Sequence, residues 1–185
     1  MATLLIATDI FGATPEILAL AKTLGAETLI VSPYGLEHME FSDQHEAYAA
    51  FTARTSFPAY AEALRSALAA SARPVDLALG FSVGATALWL CLAEEAPWLP
   101  RCAALYYGSR IRDHAELSPR RPTRLIFAEQ EPGFSPEDLA ARLRARGLDA
   151  RLRPGSAHGF MNPRSPGFDA TLYASELAEL RPLFD

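Results

Sequence analysis

The residues with the clearest capacity for chemistry form a G-x-S-x-G pattern, Gly80-Phe81-Ser82-Val83-Gly84. A serine hydroxyl is a poor nucleophile near neutral pH unless a positioned base takes its proton, and that base is usually a histidine held by a carboxylate. Two histidines follow Ser82 in the chain. His114 lies in the charged stretch Arg112-Asp113-His114-Ala115-Glu116 and reads as a solvated surface side chain. His158 sits in a Gly-rich stretch directly before Gly159-Phe160 and is the better base. For the carboxylate, Glu129 and Glu131 compete. Glu129 stands closer to a strand end; Glu131 abuts the turn residues Pro132-Gly133, is better placed to project over a sheet edge, and is preferred. Whichever is unused should be a solvated loop carboxylate. Attack on a carbonyl also needs N–H donors for the developing oxyanion. Val83, next to the nucleophile, offers one, and Ile10 in Asp9-Ile10-Phe11-Gly12 is expected to offer the other. The plainer role for Asp9 is a cap on the turn that follows it.

Such a serine must sit on a sharp strand-to-helix turn. Val75–Leu79 has the length of a buried strand, and Ala85–Ala93 is Ala/Leu-rich and reads as helix. Gly80 and Gly84 are expected to approach one another across the turn, where a Cβ on either would clash. The competing reading is a Gly-rich turn with an N-capping serine; the flanking elements favour the first. Thr3–Ala7 reads as a strand and residues 15–24 as a helix, with Thr14 as cap, Pro15 in its first turn and Gly25 at its end. Thr28–Val31 completes a βαβ unit and hence a parallel pair. Pro33–Phe57 is irregular and rich in aromatics, as expected of a lid or binding loop, with a short helix near Asp43–Ala53. A helix over Pro58–Ala70, strands over Ala103–Tyr107 and Thr123–Phe127, a helix from Pro136 to before Gly147, an edge strand Ala150–Arg153 and a final helix Asp169–Leu180 follow. Ser109–Arg121, Ala128–Gly133 and Pro154–Phe160 read as loops. The alternation predicts one α/β domain over residues 1–185, an open parallel sheet covered by helices on both faces.

Asp9-Ile10-Phe11-Gly12, the Gly80–Gly84 turn, Tyr106-Tyr107-Gly108, Gln130-Glu131 and His158-Gly159-Phe160, in this order, resemble the dienelactone hydrolase family of the α/β-hydrolase fold. The similarity covers nearly the whole chain. It implies Ser82 as nucleophile, Glu131 as acid, His158 as base, the N–H groups of Ile10 and Val83 as oxyanion hole, and substrate contacts from Asp9, Phe11, Tyr107 and Phe160. It further implies a compact α/β-hydrolase fold of six parallel strands in the order 2-1-3-4-5-6, without the two antiparallel strands that open the family's sheet. The chain departs from the prototype enzymes at three positions. They carry cysteine in place of Ser82, glutamate in place of Asp9, and usually aspartate as the acid. The arginines that clamp the prototypes' substrate carboxylate have no clear match; Arg110 or Arg112 could serve, although both read better as solvated.

Composition narrows the partners. A formal charge of −5 argues against nucleic acid or an anionic membrane. The N-terminal stretch reaches Asp9 too early for a signal peptide, and no apolar run approaches a bilayer span. Cys91 and Cys102 lie in apolar surroundings without metal-ligand spacing and read as buried thiols in a reducing, cytoplasmic setting. The expectation is a serine hydrolase of a small-molecule ester, lactone or thioester, needing no metal or cofactor and working as a monomer or homodimer. The alternative is a non-catalytic binding or scaffolding protein that keeps the fold.

Overall fold

A computed structural model describes residues 2–180; Met1 and residues 181–185, part of the expected domain span, lie outside the described residues. The elements alternate as expected: β1 (Thr3–Ala7), α1 (Pro15–Leu24), β2 (Glu27–Val31), α2 (Gln44–Arg54), α3 (Phe57–Ala70), β3 (Leu77–Phe81) and α4 (Val83–Leu92). Then come β4 (Cys102–Tyr106), a 3-10 helix (Ser109–His114), β5 (Thr123–Gln130), α5 (Pro136–Ala145), β6 (Asp149–Ala157) and α6 (Ala170–Leu180). The strands form one sheet in the order β2-β1-β3-β4-β5-β6, every adjacent pair parallel.

Period-two alternation divides the apolar side chains between two faces. Leu5 and Ala7 of β1 pack with Tyr60 and Leu64 of α3 and with α4, whereas Leu4 and Ile6 pack with Ile17 and Leu20 of α1 and Leu180 of α6. This double burial is why β1 and β3 are continuous apolar runs with no polar face. It is also why α4, sandwiched behind the sheet, needs none: all its residues but Leu90 are buried. The helix ends follow local signals. Thr14 Oγ1 accepts the Ile17 N–H and Gly25 closes α1 at φ 68°, while Asp43 and Ser56 cap α2 and α3 with their side-chain oxygens. The Tyr60 hydroxyl lies 2.7 Å from the Val31 carbonyl and 3.0 Å from that of Thr8, tying α3 to the ends of β2 and β1.

Four elements depart most from expectation, each for a tertiary reason. β3 lies two residues later than Val75–Leu79, because Asp76 is spent at the strand's entrance, where its carboxylate accepts the Thr3 N–H at 2.9 Å. Gly80 and Phe81 then pair with Ala7 and Tyr106 rather than turning. β5 and β6 both run into segments that read as loops. Past an irregularity between Ala128 and Gln130, Ser156 Oγ accepts the Glu129 N–H and Gln130 pairs with Ala157. The stretch after β4 is not all loop but opens with the 3-10 helix, whose His114 carbonyl accepts the Trp89 indole N–H at 3.0 Å.

The last helix is held partly by charge. Glu176 is buried, accepts from the Tyr106 hydroxyl at 3.0 Å and is ion-paired with Arg153 of β6. The strand order reverses between β1 and β3, opening a crevice at the strands' carboxyl ends. Gly84 sits there, and a Cβ on it would meet the carbonyl groups of Ala7 and Thr8. Gly84→Ala should therefore destabilise the protein by about 1–3 kcal/mol, read as a lower urea midpoint at unchanged m-value.

Candidate active site

Ser82 joins β3 to α4 with φ 51° and ψ −111°, a backbone conformation that a residue with a Cβ adopts only under strain. Its N–H donates to the Tyr106 carbonyl at 3.0 Å, and its carbonyl accepts the Thr86 N–H at 3.1 Å. The side chain makes no capping bond, so the N-cap reading does not hold. The glycines permit this turn in a way the sequence did not suggest. They do not face each other: a Cβ on Gly80 would lie 2.7 Å from Ala85 Cα, while Gly84 abuts β1. One glycine lets the helix fold back on its strand, and the other lets the helix approach the neighbouring strand.

The hydroxyl freed by this turn meets His158, whose Nε2 lies 2.9 Å from Ser82 Oγ. His158 Nδ1 lies 2.7 Å from Glu131 Oε1, so the carboxylate assigns the Nδ1 proton and leaves Nε2 to accept from serine. The Glu131 side chain is 2% exposed and the imidazole 32%, a covered carboxylate behind a reachable ring. The two loops are registered by the His158 N–H donating to the Gln130 carbonyl at 3.2 Å. Beneath the imidazole, the Tyr107 ring packs edge-on at 5.1 Å and is backed in turn by Phe160. Glu129 does not join this row; it accepts the Gly155 N–H at 2.8 Å and so braces the irregular β5–β6 pairing. It is exposed, as expected of the unused carboxylate, but lies within β5 and not in a loop.

Two residues with unaccepted backbone N–H groups line the same cleft. Val83 is the first residue of α4, so no helix carbonyl can accept its N–H. The Asp9–Gly12 turn is closed by Gly12 N–H to the Asp9 carbonyl at 3.1 Å and by Phe11 N–H to Asp9 Oδ1 at 2.9 Å. Among the described residues nothing accepts the Ile10 N–H. Ile10, Ser82, Val83 and His158 line one cleft of about 520 Å³. Asp9, Phe11, Tyr107 and Phe160, expected to touch substrate, are all buried and none lines it. Their motif neighbours do, and they support the wall from behind. Burial raises the Asp9 carboxyl above the usual range, against the opposing pull of its bonds from Asn162 and the Phe11 N–H.

The rest of the cleft comes from segments whose side-chain directions the sequence did not reveal. α2 contributes Gln44, His45 and Tyr48 from within the irregular 33–57 stretch, and the 3-10 helix contributes Arg110 and Arg112. Neither arginine is simply solvated: Arg110 pairs with Asp113 at 3.3 Å, and the Arg112 guanidinium lies 4.7 Å over the Phe134 ring. Cys91 is buried, which pushes its thiol up to about 12 and makes it inert. Among the described residues no group of three or more His, Cys, Asp or Glu side chains could hold a metal ion, and no helix is long and apolar enough to cross a membrane.

No protein-family model matches the chain. It is 29% identical over 166 residues to the uncharacterized protein YczH of Bacillus subtilis (strain 168), across 88% of this chain and 80% of that one. Among solved structures it is similar to a proposed dienelactone hydrolase of Klebsiella pneumoniae, with a TM-score of 0.73 at 16% identity over 100% of this chain and 86% of that one. It is also similar to P91, a dienelactone hydrolase-like promiscuous phosphotriesterase from metagenomic libraries, with a TM-score of 0.72 at 18% identity over 100% and 85%. The chain has the α/β-hydrolase fold. Ser82, Glu131 and His158 follow one another along the chain in that order, on the turn after β3 and at the ends of β5 and β6. A carboxyl esterase of the fungus Tuber melanosporum shares the fold more distantly, with a TM-score of 0.53 at 16% identity over 100% and 78%.

The strain at Ser82 is measurable. Ser82→Gly should be more stable than Ser82→Ala by about 1 kcal/mol, since glycine relieves the positive φ while alanine keeps it, less glycine's greater freedom when unfolded. Paired urea unfolding curves of the two variants check it.

Proposed function

We infer that this protein is a serine hydrolase of the dienelactone hydrolase family, cleaving a small carboxylic ester, lactone or thioester through an acyl-enzyme. The observation that carries the reading is the unbroken relay from Ser82 Oγ through His158 to Glu131, at 2.9 Å and 2.7 Å, opening onto a cleft that also receives Ile10 and Val83. Ser82 Oγ bonds to the carbonyl carbon while its proton passes to His158 Nε2. The carbonyl π pair moves onto oxygen, where the N–H groups of Ile10 and Val83 stabilise it. Collapse breaks the bond to the leaving group, which takes the proton from His158. Water then attacks the acyl-serine, giving one proton to His158, and the acid product departs as that proton returns to Ser82. Glu131 keeps the imidazole in the tautomer this requires and stabilises the imidazolium.

Serine in place of the prototype family's cysteine makes the base obligatory, since a hydroxyl cannot ionise on its own near neutral pH. The proposed setting is cytoplasmic, with a small molecule as partner and no cofactor. Because one structural neighbour is a promiscuous phosphotriesterase, a phosphotriester belongs beside esters, lactones and thioesters in a substrate panel.

A fluorophosphonate probe should label the folded protein stoichiometrically at Ser82, and Ser82→Ala should abolish both labelling and hydrolysis; full activity in that variant would point to another nucleophile. Glu131→Gln should lower kcat by about a thousandfold or more, as losing the orienting carboxylate does in serine hydrolases. Glu129→Gln should stay within about twofold of the parent, because the side chain it changes lies off the relay. Steady-state kinetics on any substrate found in the panel separate the two.

A further inference from the structure

The loop after β1 presents the Ile10 N–H, and the loop after β6 presents His158. One buried hydrogen bond joins them. Asn162 Nδ2 donates to Asp9 Oδ2 at 2.6 Å, between residues 153 positions apart that are only 4% and 5% exposed. Both oxygens of Asp9 are in use, since Oδ1 accepts the Phe11 N–H at 2.9 Å. Asn162 is equally tied to its own loop: its Oδ1 accepts the Arg164 N–H at 2.9 Å and its backbone N–H donates to the Gly159 carbonyl at 2.8 Å.

The Ile10 N–H lies in the peptide plane between Asp9 and Ile10, and the next plane anchors that one through their shared Ile10 Cα. The plane before it is held by Gly12 N–H on the Asp9 carbonyl. The plane after it is held at its N–H by Asp9 Oδ1 and at its carbonyl by the Tyr34 hydroxyl, 2.8 Å away. Asp9 can hold that plane only if its own carboxylate is held, and Asn162 does so. A buried carboxylate–amide pair is also a poor investment for stability alone, because well-packed apolar side chains often serve as well. Neither residue lines the cleft.

We propose that Asp9 and Asn162 are positioning residues whose buried hydrogen bond fixes the Ile10 N–H relative to Ser82 and His158, so that oxyanion donor and general base share one frame. The inference rests on the serine-hydrolase reading. It predicts a specific pattern of damage and repair. In Asp9→Asn, one acceptor and one donor at position 9 face two donors, the Phe11 N–H and the Asn162 amide, and one bond is lost. In Asn162→Asp, two carboxylates meet. In the double variant Asp9→Asn/Asn162→Asp, the carboxamide at position 9 accepts from Phe11 and donates to the carboxylate at position 162, whose other oxygen accepts from Arg164. Every hydrogen bond of the pair is restored with its polarity exchanged.

The test follows inactivation of the full chain by a fluorophosphonate, in which Ser82 Oγ bonds to phosphorus, fluoride leaves and the serine proton passes to His158. The saturating rate of inactivation reports transition-state alignment, the half-saturating probe concentration reports ground-state binding, and thermal unfolding by circular dichroism reports the fold. Each single variant, measured well below its melting midpoint, should lose about ten- to a hundredfold in the saturating rate with little change in half-saturation, as expected when one oxyanion donor is turned away. The double variant should recover to within about threefold of the parent, a margin below the loss from one misaligned donor. Singles that inactivate at the parental rate, or a double variant that regains its melting midpoint but not its rate, would overturn the proposal. If the singles do not fold, the double variant and Tyr34→Phe decide: the former must label near the parental rate and the latter several-fold more slowly, and failure of either sinks it. A parent protein that the probe does not label refutes the hydrolase reading and this inference together, and that result is visible before any substitution is made.

Discussion

The close approach of the first turn of α4 to the end of β1 is the contact on which the site depends. Gly84 lies against the carbonyl groups of Ala7 and Thr8, an approach that no side chain would allow. It brings the Val83 N–H beside the loop that carries Ile10 and places Ser82 at the crevice between β1 and β3. The strain at Ser82 is the other side of the same constraint. The chain must leave β3 and enter α4 within one residue, and only a positive φ does so. The surrounding burial holds it there: β3 is fully covered and α4 nearly so, leaving the turn no freedom to relax without disrupting both.

Glu131 and His158 come from a different part of the sheet, and irregular pairing is what aims them. Had β5 and β6 stayed in register to their ends, Glu131 and His158 would have followed the strands' regular alternation. Instead the register shifts after Ala128, with Ser156 and Glu129 satisfying the backbone groups that the shift exposes. The Gln130 carbonyl then receives the His158 N–H, which sets the loops carrying Glu131 and His158 side by side. Glu129 is thus a neighbour of the relay that supports its geometry and takes no place in it. This physical difference between two glutamates two residues apart was only weakly legible from their positions.

Much of the architecture was legible because it follows from local pattern. Apolar runs of five residues, separated by helices with recognisable caps at Thr14, Ser135 and Gly25, leave little choice but a doubly covered parallel sheet. That Ser82, His158 and Glu131 would meet, and that Ile10 and Val83 would share their cleft, was also legible, since the chemistry read from the sequence needs those residue types at those places. Side-chain direction was not. Phe11, Tyr107 and Phe160 adjoin site residues in sequence yet point into the core, because backbone geometry turns successive side chains away from one another. Asn162 gave no signal at all: one polar residue in a loop becomes informative only when Asp9, from the far end of the chain, is found beside it. The cleft walls formed by α2 and the 3-10 helix were hidden for the same reason, as their partners are distant in sequence.

The outermost position of β6 has a bearing on how the molecule comes into being. It is the last strand of the sheet to leave the ribosome, and the imidazole follows directly behind it. Until then the chain lacks the imidazole that receives the Ser82 hydroxyl in the finished sheet. On the hydrolase reading, the hydroxyl gains reactivity only as the sheet acquires this edge.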